Sequence, residues 1–326
     1  MHNIYKAARE KNKDKVINSG VSIENFNLDH LYGEGMSLYT SDPTRYKPAK
    51  RIYTKQNGIE DAFKAVKSLE DEIVNERLPF GWEINFNWSD IPLEANPNSG
   101  ALPEKRASRK CEQLENLAKA VIKLANGQKY KIVEFCSGSC HLGILLAVLL
   151  PNCQIVAVEN KEQSLVRAKG RIEKLNLKNI IIVQSNLDYF RGIFDIGVSL
   201  HACGVATDLV IQNCIENKAH FVSCPCCYGG VKDCYHLKYP LKRRFQELDM
   251  SYTHYLNLAH AADQTHDVDN VKTKQGYLCM DIVDTDRKMY AESCGYKVYL
   301  GKLQPTTCTN KNNLLVGCYQ GKVCYS

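Results

Sequence analysis

The spacing of apolar residues changes near residue 130, and that change divides the chain. From Lys131 to Cys224, short apolar runs alternate with longer amphipathic stretches. Runs of a few apolar residues bounded by turn residues read as buried strands, and apolar positions three to four apart read as helix. The pattern predicts strands over Lys131–Phe135, Gln154–Glu159, Ile180–Gln184, Ile196–His201 and His220–Cys224. It predicts helices over Leu142–Leu149, Gln163–Leu175 and Thr207–Asn217, the last with Thr207 and Asp208 suited to a first helical turn. Strands that alternate with single helices build a parallel sheet covered on both faces. Further on, short helices are expected over Leu241–Leu248 and Tyr252–Ala262, then a longer helix over 274–294 ended by Gly295. Two closing strands follow, Tyr296–Leu303 and Leu314–Tyr319.

The first part of the chain is less regular. Residues 1–45 carry scattered Asn, Asp, Gly and Ser and read as an extension. Ile59, Phe63, Val66, Leu69, Ile73 and Val74 predict an amphipathic helix over 59–77, ended by Pro79 and Gly81. Trp82–Pro103 is irregular, and a basic phrase, Leu102–Lys110, then leads into a helix over Cys111–Asn126. Its basic face suits phosphate or plain solvation equally. The expected organisation is therefore an extension (1–45), a helical and irregular segment packed on the core (46–110), and an α/β domain (111–326). Residues 225–272 follow the carboxyl end of a strand, on the ligand side of such a sheet, and are a candidate substrate lid.

Composition narrows the class without choosing a partner. With 326 residues, 44% hydrophobic and 24% charged, the chain can bury a large core. A net charge of +6 permits an anionic partner such as RNA but does not require one. The 15 cysteines are odd in number and irregularly spaced, and Met1–Gly20 has no apolar segment of the signal-peptide kind. A reduced, cytoplasmic or nuclear protein is expected. The longest apolar run, Leu142–Leu150, is far shorter than the roughly 20 residues that cross a bilayer, so no membrane partner is expected.

Chemistry concentrates at the strand ends. Glu134 closes the first strand, and Cys136, Gly138 and Cys140 fall two, four and six positions later, around Ser139. Small residues at that spacing suit a turn over which the amino-acid part and ribose of S-adenosylmethionine pass close to the backbone. Glu159 closes the second strand, where a carboxylate can accept both ribose hydroxyl protons. Asn186 follows the third, where an amide meets an adenine edge. Each alone reads as a strand-end cap; three at successive strand ends favour a ligand site.

Two longer motifs point to a family. Val198–Asp208 reads V-S-L-H-A-C-G-V-A-T-D and Val222–Gly229 reads V-S-C-P-C-C-Y-G. With Glu159-Asn160-Lys161, Leu102–Leu114 and Lys311-Asn312-Asn313, they resemble the methyltransferase-like domain of the glutathione S-transferase C-terminal domain-containing protein family. A more distant similarity is to tRNA 2′-O-methyltransferases with an H-x-C-G-x-A-T-D segment. The resemblance covers about residues 100–320. The transferase-like N-terminal region that names the family is expected to be missing or truncated here, so glutathione chemistry is not carried over.

The resemblance implies a class I methyltransferase-like, Rossmann-like doubly wound α/β sheet of seven strands, the last antiparallel. It implies an S-adenosylmethionine-dependent methyltransferase, with RNA, tRNA included, as the favoured substrate. Glu134, Cys136, Gly138, Ser139, Glu159, Asn160, Asn186, His201 and Cys203 are the implied cofactor residues. His201 is the implied base, with Cys227 and Tyr228 facing the nucleophile. Ser139 and Cys140 stand where the family's turn has glycine, which implies a Cys140 side chain against the cofactor's methionine part or a different backbone path. Two alternatives stay open: a non-catalytic binding module, and a zinc-stabilised interaction protein using His201, Cys203, Cys224, Cys226, Cys227 and His236. C-x-C-C does not match the usual C-x₂-C pairs, and no metal site is assigned.

Overall fold

The computed structural model of the chain describes residues 16–17, 55–73, 77–99, 102–187, 190, 192–232, 237–241, 243–265 and 270–322. Its strands are β1 (Val16–Ile17), β2 (Lys131–Phe135), β3 (Gln154–Glu159), β4 (Ile180–Gln184), β5 (Ile196–Ser199), β6 (His220–Ser223), β7 (Tyr296–Lys302) and β8 (Asn313–Tyr319). They form one sheet in the order β1-β4-β3-β2-β5-β6-β8-β7. β2 through β6 pair in parallel, and β8 runs antiparallel to both its neighbours. Apart from β1, this is the seven-stranded class I methyltransferase order with the last strand antiparallel. The addition is β1, two residues paired antiparallel to β4, in a stretch whose sequence announces no strand.

The helices are α1 (Gln56–Val66), α2 (Glu104–Ala125), α3 (His141–Leu149), α4 (Glu162–Lys174), α5 (Val205–Glu216), α6 (Arg243–Glu247), α7 (Tyr252–Ala261) and α8 (Val271–Ser293). Two differ materially from expectation. α1 stops at Val66 and tightens into a 3₁₀ turn over Lys67–Glu72, so the helix expected over 59–77 is shorter. α2 starts at Glu104, directly after Pro103, a residue suited to a helix entrance. The basic phrase is therefore the first turns of α2, and the division at residue 110 falls inside a helix.

Alternate residues of each central strand face opposite layers. On one face Ile132, Ile155 and Val198 pack with Leu117, Val121, Leu145 and Leu165 of the helices. On the other, Val133, Phe135 and Val156 pack with Phe190, Phe194 and Val210. Phe135 meets Phe190 and Phe194 edge-on, with centroids 5.3 and 5.6 Å apart. Full burial of such a ring contributes roughly 1.5–3 kcal/mol.

A third apolar cluster joins α1, α7 and α8 with Tyr228, Leu237, Tyr239, Phe245 and Met250. The stretch expected as a lid is thus, in its described residues, a packed wall. Its polar centre is Arg287 of α8, 1% exposed. The guanidinium donates to Asp208 through Nε at 2.7 Å and Nη2 at 2.9 Å, and to Asp284 through Nη1 at 2.9 Å. Tyr239 donates to Asp208 at 2.7 Å. Among the described residues twelve cysteines carry free thiols, seven of them buried as small apolar residues; Cys318 is disulfide-bonded. No helix among the described residues is long and apolar enough to cross a membrane.

Candidate active site

A cleft of about 540 Å³ opens at the carboxyl ends of β2 to β5, where open α/β sheets bind ligands. Seven of the nine expected cofactor residues line it: Cys136, Gly138, Glu159, Asn160, Asn186, His201 and Cys203. Register brings them together. β3 and β4 pair Glu159 with Gln184, so Glu159 and Asn186 leave adjacent strand ends. Asn160 Nδ2 donates to Asn186 Oδ1 at 3.0 Å and ties the two ends.

Glu134 and Ser139 do not line the cleft. Glu134 is 3% exposed beneath the turn, where its Oε2 accepts the Gly143 N–H at 2.8 Å. Burial pushes its carboxyl up to about 7, against the opposing pull of the Gly143 and Cys140 hydrogen bonds. Glu134 thus supports the turn from below. The Ser139 carbonyl accepts from Arg171 of α4, whose Nη1 also lies 2.9 Å from His141 Nδ1. An arginine from the next helix therefore holds the outer side of the turn.

Cys140 departs from both expectations for it. It takes a left-handed conformation (φ 57°, ψ 40°), the backbone path a glycine would supply, and its side chain is fully buried. The thiol packs in the core and hydrogen-bonds the Glu134 carboxylate, so it does not press on the cleft. The position that cannot spare its glycine is Gly143. A Cβ there would stand 2.7 Å from both Glu134 Oε2 and Cys140 Sγ.

Glu159 carries more backbone than its sequence position suggests. Oε2 accepts from Gly138 N at 2.8 Å, and Oε1 accepts from Asn160 N at 2.9 Å and Lys161 N at 3.0 Å. A carboxylate offers about four acceptor positions. One is left, so Glu159 has room for one ribose hydroxyl and not for both. A Cβ built on Gly138 meets nothing within 4 Å, so the turn leaves space for a ligand. With these groups and this volume, the cleft fits S-adenosylmethionine.

At the other end of the cleft, His201 Nε2 lies 2.9 Å from Lys110 Nζ, across 91 residues of sequence. Desolvation and the Lys110 ammonium hold the imidazole down to about 4, and desolvation lowers Lys110 as well. Nε2 of His201, the implied base, is thus engaged by Lys110. Arg106, Arg109 and Lys110 line an adjoining pocket of about 370 Å³ with Gln113 and Asn310.

The expected acceptor residues divide. Tyr228 is fully buried, and its hydroxyl donates to Asp284 at 2.6 Å, away from the cleft. It anchors the wall and does not face a nucleophile. Cys227 is exposed beside Cys203 and Cys226, outside the cleft lining. Cys203 and Cys226 sulfurs stand 3.0 Å apart; the shared hydrogen bond lowers the Cys203 thiol and raises that of Cys226. Cys224 is buried with its thiol on the Lys311 carbonyl, and His236 lies outside the described residues.

Sequence reading missed Lys110, Arg171 and Gly143 as parts of the site. The basic phrase was a signal for Lys110. Arg171 acts through contacts from the next helix, and Gly143 through the closeness of Glu134 and Cys140 that the folded turn creates.

A family described as a methyltransferase domain matches residues 109–234. A "Glutathione S-transferase C-terminal domain-containing protein homolog" of Drosophila melanogaster is 48% identical over 291 residues, 87% of this chain and 49% of that protein. The Homo sapiens "Glutathione S-transferase C-terminal domain-containing protein" is 44% identical over 233 residues, 71% of this chain and 36% of that protein. The chain spans about half the length, or less, of these curated relatives. Among solved structures, a "SAM dependent methyltransferase from Aquifex aeolicus" aligns at 11% identity and a TM-score of 0.35, covering 66% of this chain and 98% of that one. Sequence relatives and the family match agree with the strand order: most of this chain is similar to about half or less of the glutathione S-transferase C-terminal domain-containing proteins, and residues 109–234 match a methyltransferase domain.

Proposed function

We propose that the chain is an S-adenosylmethionine-dependent methyltransferase that acts on RNA. The observation that supports this best is the meeting of two features at one cleft. Glu159 and Asn186 line one end at adjacent strand ends. At the other, Lys110 holds His201 and belongs to a pocket shared with Arg106 and Arg109. Neutral small acceptors need no such run of cations, whereas a phosphate backbone does.

Bound S-adenosylmethionine would supply an electrophilic methyl group on its sulfonium. In this reading Glu159 accepts one ribose hydroxyl proton, Asn186 meets the adenine edge, and Gly138 leaves room for the amino-acid part. Arg106, Arg109 and Lys110 grip phosphates and so hold an acceptor atom in line, the main contribution a protein makes to methyl transfer. His201 is a positioning residue that keeps Lys110 at the cleft mouth.

Calorimetric titration with S-adenosylmethionine, followed by transfer of labelled methyl to a tRNA mixture, tests the reading. Binding and transfer are expected, both lost in Glu159→Ala. No heat at high protein concentration would sink the methyl-donor part. Binding without transfer to any RNA would sink the substrate part.

A further inference from the structure

Three thiols meet at the rim of the cleft, although the sequence separates them. β5 and β6 are paired in parallel through Ser199 and Ser223, and their hydroxyls touch at 2.8 Å. The loops after these residues therefore leave the sheet side by side in the same direction. One carries Cys203 and the other Cys226 and Cys227.

Two further features lock the loops together. Gly204 N–H donates to the Cys227 carbonyl at 2.6 Å. Gly204 (φ 57°) sits so close to the other loop that a Cβ would fall 2.5 Å from the Gly230 carbonyl carbon. Asp263 then fixes the second loop by accepting Tyr228 N at 3.0 Å and Gly229 N at 2.8 Å. The thiol positions are thus set by backbone contacts that involve no sulfur.

We propose that Cys203, Cys226 and Cys227 bind one soft divalent cation, zinc by ligand chemistry. Their sulfurs all lie within 4.8 Å of one another. Tetrahedral zinc with bonds of about 2.3 Å separates its thiolates by roughly 3.8 Å, which small side-chain rotations reach from here. A disulfide between Cys203 and Cys226, by contrast, needs sulfurs at about 2.05 Å and gives Cys227 no part. The C-x-C-C spacing looked wrong for zinc because the third ligand comes from another strand end. Three thiolates also leave a residual negative charge on a divalent site, and the Lys161 and Lys311 ammonium groups act electrostatically on these thiols. Among the described residues no other Cys, His, Asp or Glu joins the group. The three thiols fill three of the four positions of a tetrahedral zinc. Cys203 also lines the donor cleft, so the cation sits where it can orient an acceptor.

The proposal stands on thiol geometry and does not depend on methyl transfer. Metal content of the full chain, purified under reductant without chelator, tests it by mass spectrometry. One zinc per chain is expected, and replacement by cobalt(II) should give sulfur-to-metal charge-transfer absorption. Cys203→Ser and Cys226→Ser should each weaken zinc binding by more than about 100-fold, while Cys294→Ser, a partly buried thiol outside the group, keeps one zinc. Wild-type protein with less than a tenth of an equivalent of metal and no cobalt–thiolate band would overturn the proposal. So would a Cys203–Cys226 disulfide in metal-free protein under the same reductant, or full zinc retention in Cys203→Ser.

Discussion

The two walls of the cleft are built by different physics. The donor wall, from Glu134 to Asn186, is made of strand ends and the turn between β2 and α3, and most of its hydrogen bonds run from backbone N–H groups to the Glu134 and Glu159 carboxylates, with Arg171 on Ser139 and Asn160 on Asn186 beside them. Glu159 alone accepts three. The acceptor wall, from His201 to Tyr228, is held by side chains from distant elements: Lys110 on His201, Asp284 on Tyr228 and Arg287 on Asp208. A wall of local hydrogen bonds can be changed at its ligand-facing groups without unfolding the chain. A wall centred on a buried ion network fails as a structure when one member is lost.

The sharpest way to break this contrast is Arg287→Met. Removing the guanidinium strands Asp208 and Asp284, both at most 1% exposed, and should cost about 3–5 kcal/mol in urea unfolding. A loss under 1 kcal/mol would mean that the acceptor wall does not rest on this network.

The next effect belongs to the donor wall and depends on pH. Glu134 has its carboxyl raised from 4.5 to about 7, so the folded chain keeps a proton that the unfolded chain releases. Stability contributed there is complete below about pH 4.5 and falls as pH rises towards 7, by roughly 3 kcal/mol over the window. Glu134→Gln should flatten that slope and gain most at pH 8. Equal slopes in both proteins would show that Glu134 is not desolvated as described.

Glu159→Ala should then separate binding from folding. Affinity for S-adenosylmethionine should drop about 100-fold by calorimetry, with the thermal midpoint shifting far less than in Arg287→Met. For the cationic pocket, Arg106→Ala with Arg109→Ala should weaken RNA binding similarly for all sequences and lower the salt-dependence slope by about 2. The smallest expected effect is Cys140→Gly. Because that side chain faces the core, cofactor affinity should stay within about threefold of wild type, and a large gain would revive the view of the turn as eroded.

Much of this was legible from residue order. β3 and β4 have the bounds that the apolar runs predict, because a strand buried on both faces must be apolar along its length. Glu159 and Asn186 declared themselves since strand ends in a parallel sheet are ligand positions whatever their surroundings, whereas the H-A-C-G segment was marked by the family resemblance. Cys140 misled, since a left-handed backbone is usual for glycine and the sequence does not say which way a non-glycine side chain then turns. Tyr228 misled for a related reason: its place after β6 is right for a substrate contact, but its hydroxyl is claimed by Asp284, 56 residues away.

By itself, then, the periodicity of the sequence determined the order of strands and helices from β2 onward and the parallel α/β sheet, since each depends on short-range spacing and on turns within a few residues, while the class I topology was implied by the family resemblance. Only the tertiary structure decided which groups of the acceptor side meet. Lys110 reaches His201 over 91 residues, Arg287 reaches Asp208 over 79, and Cys203 meets Cys226 over 23. Such pairs are set by sheet register and by how helices pack over the sheet, and neither leaves a fixed spacing in the chain. The same register that placed three thiols at one rim made a candidate metal site from residues whose spacing had argued against one.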